Sequence, residues 1–194
     1  MSAAPLRLGL LGSPNSGKTT LFNALTGLRA KVGNYPGVTV ERREGHAEIG
    51  GRAVVMIDLP GTYSLDPISP DEAIVARLLR GEVAEVAPPD ALVVTADACT
   101  LSRALLFVGQ VLRLGLPACL VVTMVDELHA RGGKLDLAAL SAALGIPVVG
   151  VVGHRGVGVD GLRRLIGRPE AWTVPVVPPP ASPTDRAAWA DSVT

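Results

Sequence analysis

The chain has 194 residues, a formal net charge of zero, two cysteines and very few aromatic residues. This length is sufficient for one domain with a buried core. The zero net charge gives no electrostatic indication that the chain binds nucleic acid or a membrane surface. Cys99 and Cys119 are too few for a disulfide framework or a metal cluster. No uncharged apolar run is long enough to cross a bilayer, and the motif at residue 12 leaves no room for a signal-peptide cleavage site. We therefore expect a soluble chain.

A short apolar strand, predicted over residues 6–11, runs directly into a glycine-rich loop. Residues 12–19 read Gly-Ser-Pro-Asn-Ser-Gly-Lys-Thr, and a predicted helix follows over residues 18–28. This G-x-x-x-x-G-K-T loop binds phosphates with backbone N–H groups at the start of a helix. Lys18 would reach the β- and γ-phosphates, and the Thr19 hydroxyl would bind Mg²⁺. A chance glycine-rich turn is the alternative, which the order of strand, loop and helix disfavours.

Two motifs further along the chain are candidates for sensing a γ-phosphate. Thr39, in Gly37-Val38-Thr39, would complete the coordination of Mg²⁺ when a γ-phosphate is present. Asp58, in Asp58-Leu59-Pro60-Gly61, would hold Mg²⁺ through water, and the N–H of Gly61 would meet the γ-phosphate. Each motif alone is weak, because threonine is common in strands and D-x-x-G is a common turn. Their place downstream of the phosphate loop favours the functional interpretation.

The remaining pattern predicts an α/β fold with helices on both faces of a mostly parallel sheet, because the strands read as continuous Val/Leu runs. Residues 40–50 are predicted as an antiparallel edge strand, paired with 52–57 through Gly50-Gly51. Six prolines after Gly167 predict an extended linker over 169–184, and 185–194 is too short for a helix that stands alone. The other predicted strands are 53–57, 91–96, 118–122 and 147–152, and the other predicted helices are 71–79, 102–114, 137–144 and 159–166.

Asp126 is the candidate that would select the base. It ends the run Thr123-Met124-Val125-Asp126 after a predicted strand, and its carboxylate can accept from N1–H and the N2 amino group of guanine. Adenine has no such pair of donors, so an ATPase is disfavoured. Asp126 as the N-cap of a following helix is the alternative, and the two roles are compatible.

Together these motifs resemble the N-terminal G domain of FeoB, the family of prokaryotic ferrous-iron transporters. The resemblance covers residues 5–168 and implies a P-loop, Ras-like GTPase fold, with a G domain over 1–168 and a proline-rich linker or tail over 169–194. The family's helical domain and membrane region lie C-terminal to the G domain and are not in this chain, which we expect to be a fragment or to depart from the family here. The runs that carry the resemblance are 12–23, 32–41, 58–65, 123–127 and Arg131-Gly132.

The resemblance implies GTP binding and hydrolysis coupled to Fe²⁺ uptake at the cytoplasmic face of the bacterial inner membrane. The implied partner is the protein's own C-terminal transporter region, and a homo-oligomer of the full-length protein is an alternative that stays open. The implied catalytic residues are Asn15, Lys18, Thr39 and Gly61. The implied GTP-binding residues are Gly12, Asn15, Ser16, Gly17, Lys18, Thr19, Thr20, Gly37, Val38, Thr39, Asp58, Gly61, Thr123, Met124, Asp126, Gly153 and His154.

The chain departs from the family around the base. Thr123 stands where such GTPases prefer asparagine, and one hydroxyl can replace only part of the amide's hydrogen bonds. Gly153-His154 stands where the last loop usually begins Ser-Ala, so the backbone donor to guanine is kept and the bracing hydroxyl is lost. We expect a site that favours guanine and holds it loosely.

Thr62 follows the glycine of the D-x-x-G motif, where many GTPases have a glutamine that orients water. Since threonine is too short for this and no arginine is obviously placed for the phosphates, the resemblance implies a K⁺ held by Asn15 and the carbonyls of Gly33 and Tyr35. We therefore expect slow hydrolysis that K⁺ stimulates. The alternative for Asn15 is a turn residue that tolerates the left-handed conformation.

Two other functions stay open on the sequence alone. A nucleotide-binding switch with negligible hydrolysis is supported by Thr62, Thr123 and Gly153. A ribosome- or tRNA-associated GTPase shares the loop asparagine, but the zero net charge and the lack of a basic appended domain disfavour it. No iron site is expected, because the three histidines share no spacing.

Overall fold

The computed structural model describes residues 4–175 and 178–193, with the side chains of His154 and Pro169 outside that description. The strands in this part of the chain are β1 (Leu6–Gly12), β2 (Ala30–Asn34), β3 (Glu41–Ile49), β4 (Arg52–Asp58), β5 (Ala91–Asp97), β6 (Ala118–Thr123) and β7 (Val148–Val151). The α-helices are α1 (Lys18–Thr26), α2 (Pro70–Leu79), α3 (Leu101–Leu112), α4 (Val125–Ala130), α5 (Leu137–Leu144), α6 (Val159–Ile166) and α7 (Pro183–Val193).

The strands form one sheet in the order β2-β3-β4-β1-β5-β6-β7. Strands β4, β1, β5, β6 and β7 are parallel to their neighbours in this series, and β3 is antiparallel to both β2 and β4. The predicted mixed sheet, mostly parallel with an antiparallel region at one edge, is confirmed. Strand β2, which no sequence pattern predicted, takes the outermost place, so β3 lies one place inside the edge. Every residue of β2 is exposed, and it therefore lacks the apolar pattern that reveals a strand.

Two apolar clusters, one on each face, hold the sheet between layers of helices. Helices α1 and α6 cover one face, and α2, α3 and α5 cover the other. Strands β5 and β6 are buried on both faces, which explains their continuous runs of Val, Leu and Ala. Because the central strands are parallel, their carboxyl ends meet at one edge of the sheet, where α/β proteins bind ligands.

The proline-rich segment leads to a helix that docks on the domain. Helix α7 packs against α3, where a Cβ added to Gly109 would lie 2.9 Å from the Trp189 ring and 3.0 Å from the Arg186 side chain. Arg113 of α3 donates to the carbonyl of Pro179 at 2.8 Å. This packing supplies the tertiary support that an isolated helix of eleven residues lacks. Among the described residues, no helix combines the length and apolar character needed to cross a bilayer.

Candidate nucleotide-binding site

The backbone conformation of the loop between β1 and α1 explains its glycines and its asparagine. Gly17, at the N-cap of α1, has φ of 77°, and Asn15 has φ of 65°, both in the left-handed region. A Cβ on Gly12 would collide with the Thr95 hydroxyl, because Thr95 lies directly beneath the loop. Thr95 Oγ1 donates to the Leu11 carbonyl at 3.0 Å, so in the 2.6 Å contact between the Thr95 and Ser16 hydroxyls it is Ser16 that donates. The loop is thus fixed from β5 by a buried threonine that no sequence motif marks.

Lys18 and Asp58 join the phosphate loop to the D-x-x-G motif. The Lys18 Nζ lies 2.5 Å from Asp58 Oδ1, and about nine-tenths of each side chain is shielded from solvent. Asn15, Lys18, Thr19 and Gly61 line an open cleft of about 520 Å³ above the loop. Thr39 lines an adjoining cleft of about 350 Å³ together with Lys18, Asp58 and Gly61. Side chains predicted to bind the phosphates and Mg²⁺ therefore share one end of the sheet.

Thr62 is turned away from this cleft. It is fully buried, and its hydroxyl donates to the Ser64 carbonyl at 2.7 Å with the Glu72 carboxylate 3.1 Å away. Its backbone N–H donates to the Gly12 carbonyl at 3.1 Å. Hydrogen bonds lower the pKa of Glu72, first from the Ile68 N–H and then from Thr62, which keeps this buried acceptor ionised. The residue after Gly61 is therefore part of a structural network and is not available to orient water.

A small cavity of about 120 Å³ lies where the base is expected, lined by Thr20, Thr123, Asp126 and Gly153 among others. Thr123 is buried, and its single hydroxyl proton is shared between the Ser16 carbonyl at 2.9 Å and the Ala96 carbonyl at 3.2 Å. Thr123, at the end of β6, thus braces the phosphate loop. A Cβ on Gly153 would lie 2.9 Å from the Thr20 methyl group, so the missing side chain leaves no gap there.

Helix α4 begins at Val125, two residues earlier than an N-cap at Asp126 would place it. Its N-cap is Met124, with φ of 56° and no side-chain capping bond, and Asp126 lies in the first turn. The alternative role of Asp126 as the N-cap is therefore wrong. Asp126 lines the cavity where the base is expected. His154 is a predicted contact whose side chain lies outside the described residues.

The three residues predicted to hold K⁺ are not brought together. Asn15 lines the phosphate cleft, but Gly33 lies within β2 opposite Arg42. Tyr35 is buried in the core, with its N–H bonded to the Val40 carbonyl at 3.0 Å. Burial raises the pKa of Tyr35 to about 12, and its hydroxyl has no hydrogen-bond partner among the described residues. Gly37 has φ of 75°, and Val38 packs against the core. This segment is therefore folded onto β3 and the core, and neither Gly33 nor Tyr35 lines the phosphate cleft with Asn15.

A further cleft, of about 390 Å³, lies between the phosphate loop, Tyr63 and helix α3. The Arg103 guanidinium carbon lies 5.0 Å from the centroid of the Tyr63 ring, within the range of a cation–π contact. Further along α3, Gln110 forms hydrogen bonds with residues 64–66. Neither Arg103 nor Gln110 belongs to a motif, so neither could be predicted as a site residue from the sequence. Among the described residues, no three His, Cys, Asp or Glu side chains group as a metal site.

A phosphate loop follows β1, Asp58 ends β4 with Gly61 shortly after it, and Asp126 follows β6. These groups lie at one edge of the sheet, and together with the fold they define a P-loop GTPase domain. The profile of the family Ferrous iron transport protein B matches residues 6–166. The chain belongs to this family and corresponds to its N-terminal domain, as the resemblance predicted.

The relatives agree with this assignment. The Fe(2+) transporters FeoB of Escherichia coli strain K12 and of Salmonella typhimurium are each 44% identical to the chain over 171 residues. Each alignment covers 86% of this chain and 21% of the relative. The chain thus spans about a fifth of the length of the curated relatives it matches.

Solved structures show the same fold. The cytosolic domain of L. pneumophila FeoB is 37% identical with a TM-score of 0.77, over 84% of this chain and 68% of that one. The cytosolic domain of T. maritima FeoB in a GDP form is 36% identical with a TM-score of 0.81, and the match covers 90% of this chain and 66% of that one. An S. thermophilus NFeoB variant bound to GDP is 36% identical with a TM-score of 0.76, and the match covers 84% of this chain and 61% of that one.

Proposed function

We propose that this chain binds guanine nucleotides with Mg²⁺, hydrolyses GTP slowly and regulates ferrous-iron transport from the cytoplasmic face of the bacterial inner membrane. The observation that carries the proposal is the shared edge of the sheet, where the phosphate loop, the Lys18–Asp58 pair and the cavity beside Asp126 lie together. The GDP-bound relatives support the same ligand class.

Each residue has a role that its chemistry suits. Backbone N–H groups of the loop and Lys18 bind the phosphates, and Asp126 accepts from the guanine edge. The hydroxyls of Thr19 and Thr39 and the carboxylate of Asp58 are oxygen donors of the kind that Mg²⁺ prefers, Asp58 through water. Bound Mg²⁺ would supply positive charge beside the phosphates. Asp58 is freed for this role when Lys18 turns from it to the phosphates.

K⁺ stimulation requires the segment before β3 to rearrange. Gly33 would have to leave β2, and Tyr35 would have to leave the core, before their carbonyls lie near Asn15. The exposed β2 favours such a release, because little apolar packing holds the strand in place. The unpaired Tyr35 hydroxyl favours it also, because a buried polar group without a partner destabilises the folded segment. The cation would then compensate for the absence of a glutamine after Gly61.

Single-turnover hydrolysis measured in matched K⁺ and Na⁺ buffers tests the enzyme, with calorimetry on GDP to show that the site is intact. We expect measurable hydrolysis that is faster in K⁺. The second candidate is a nucleotide-binding switch with negligible hydrolysis, which the burial of Thr62 favours. GDP binding without hydrolysis in either buffer would establish this switch and contradict the enzyme.

The transport role involves the rest of the full-length protein, and the proposed partner is its own C-terminal membrane region. We propose the division into a G domain over 1–168 and a tail over 169–194, with α7 as the part of the tail that docks on α3. Lys18→Ala in the full-length protein should reduce iron uptake at an unchanged amount of protein in the membrane. Uptake equal to that of the unmodified protein would contradict a regulatory role.

A further inference from the structure

Helix α3 presents one face to the segment that follows Gly61. Arg103 and Gln110 are seven residues apart, which is two helical turns, so both side chains lie on the same side of the helix. Arg103 lies over the Tyr63 ring, and Gln110 meets Ser64, Leu65 and Asp66. Two independent contacts therefore join α3 to residues 63–66, which we call the switch II end.

The Gln110 contact uses the whole amide group. Its Oε1 accepts from the Leu65 backbone N–H at 2.7 Å and from the Ser64 hydroxyl at 3.1 Å. Its Nε2 donates to Asp66 Oδ2 at 2.9 Å, and lies 3.0 Å from the Ser64 hydroxyl oxygen. Only a side chain that carries a donor and an acceptor on one planar group can do this at a single position. A carboxylate would keep the acceptors and meet Asp66 with a like charge.

Gly61 lies in a segment that is held by β1 and by helix α3. The N–H groups of Leu59 and Thr62, which stand before and after Gly61, donate to the carbonyls of Leu10 and Gly12 at 3.1 Å each. Just beyond Thr62, the switch II end is bonded to Gln110. Gly61 itself packs against Pro14, since an added Cβ would lie 3.1 Å from the Pro14 ring. The direction of the Gly61 N–H is thus set by supports before and after it.

We propose that Gln110 is a positioning residue for GTP hydrolysis, which holds the switch II end so that the Gly61 N–H is presented to the γ-phosphate. The inference rests on the proposed function. GDP has no γ-phosphate, so its binding does not depend on where this N–H points. Loss of the Gln110 contact lets the segment adopt further conformations, and only a fraction of the molecules then has Gly61 in place.

The position of Gln110 is supported in turn by the tail. Gly109 precedes it and lies beneath Trp189 and Arg186 of α7, too close for any larger side chain without displacement. Helix α3 is therefore held on one flank by α7 and contacts the switch II end on another. This arrangement explains why an amide on α3 can act as a fixed support.

Gln110→Met is the appropriate variant, because methionine keeps the length and the apolar stem and removes the amide. Ser102→Ala is the matched control, since Ser102 is an exposed residue of the same helix. We expect the single-turnover rate of Gln110→Met to fall about tenfold, which equals about 1.4 kcal/mol, in the range of one or two hydrogen bonds. The Kd for GDP should stay within twofold of the unmodified protein, and Ser102→Ala should change neither quantity.

Ser64→Ala provides a second measurement on the same contact. In a double-mutant cycle, its effect on the rate should be smaller in the Gln110→Met background than in the unmodified protein, because both changes remove one interaction. Additive effects would contradict the contact as the cause.

The outcomes separate this inference from the proposed function. An unchanged rate in Gln110→Met overturns the inference. A variant in which GDP affinity, thermal stability and rate all fall together overturns the inference also, since the role of Gln110 would then be structural only. If the unmodified protein hydrolyses no GTP, the proposed function fails instead. Normal hydrolysis in the unmodified protein with a selective loss in Gln110→Met supports both.

Discussion

Replacing Thr123 with valine tests whether one buried hydroxyl braces the phosphate loop. Valine keeps the shape of the side chain and replaces the hydroxyl with a methyl group, so packing around Gly17 is kept. The carbonyl of Ser16 then loses its 2.9 Å hydrogen bond, and that of Ala96 loses a 3.2 Å contact, in a position that is 4% exposed. Water has little access to replace either bond.

The expected magnitude follows from this geometry. Leaving a buried acceptor unpaired costs about 1–3 kcal/mol. Because the two carbonyls share a single hydroxyl proton, the substitution removes the equivalent of one hydrogen bond. We expect the free energy of unfolding to fall by about 1–2 kcal/mol and the affinity for GDP to fall roughly 5- to 30-fold, because the loop that holds the phosphates is loosened.

Denaturant unfolding and calorimetry with GDP measure the two effects. Thr26→Val is the matched control, because its buried hydroxyl donates to the Phe22 carbonyl at 2.8 Å, within α1 and away from the cavity for the base. The control should lose some stability and keep its GDP affinity. If Thr123→Val binds GDP as tightly as the unmodified protein, the bracing role is refuted.

Further predictions concern the base, the cation, the folded segment before β3 and acid stability. Asp126→Asn should shift the preference from guanine toward xanthine nucleotides in competition binding, and unchanged GTP affinity would contradict its role. Asn15→Ala should abolish K⁺ stimulation in rate assays with GDP binding nearly intact, since the loop binds phosphate mostly through its backbone; an equal response to K⁺ would exclude the cation role. Tyr35→Phe should raise the thermal midpoint and slow proteolysis of residues 31–40, because it removes an unpaired buried hydroxyl; faster cleavage would contradict this. The pKa of Glu72 is lowered from 4.5, chiefly by the Ile68 N–H, so its contribution to stability is present above that pH and is lost as the pH falls through the folded-state pKa. The stability difference between the unmodified protein and Glu72→Gln should therefore shrink in acid.

Sequence patterns predicted the parts of this fold that local physics determines. Strands buried on both faces read as continuous apolar runs, and the loop at 12–19 needs its glycines wherever it occurs. Because these motifs follow parallel strands, their meeting at one edge of the sheet could be predicted as well. The exposed strand β2 has no such local signal, and its partner β3 alone determines where it lies.

The missed side chains depend on contacts between residues far apart in the chain. Thr95 meets Ser16 across 79 positions, and Gln110 meets Leu65 across 45. A threonine in a strand and a glutamine in a helix are ordinary residues, and only the folded arrangement gives them a role. The bracing by Thr123 also depends on the fold, since the Ser16 carbonyl that it reaches is 107 positions away.

The ion pair between Lys18 and Asp58 couples the binding of nucleotide to the binding of Mg²⁺. Both groups are largely shielded from solvent, so removing one partner leaves the other as an uncompensated charge. Phosphate alone would draw Lys18 away and expose Asp58 to like charge, while a divalent cation alone would take Asp58 and strand Lys18. Each ligand therefore binds better when the other is present, and linkage requires that nucleotide strengthens Mg²⁺ binding by the same factor as Mg²⁺ strengthens nucleotide binding. The Lys18–Asp58 pair thus makes the domain respond to the complex of metal and nucleotide as a single unit.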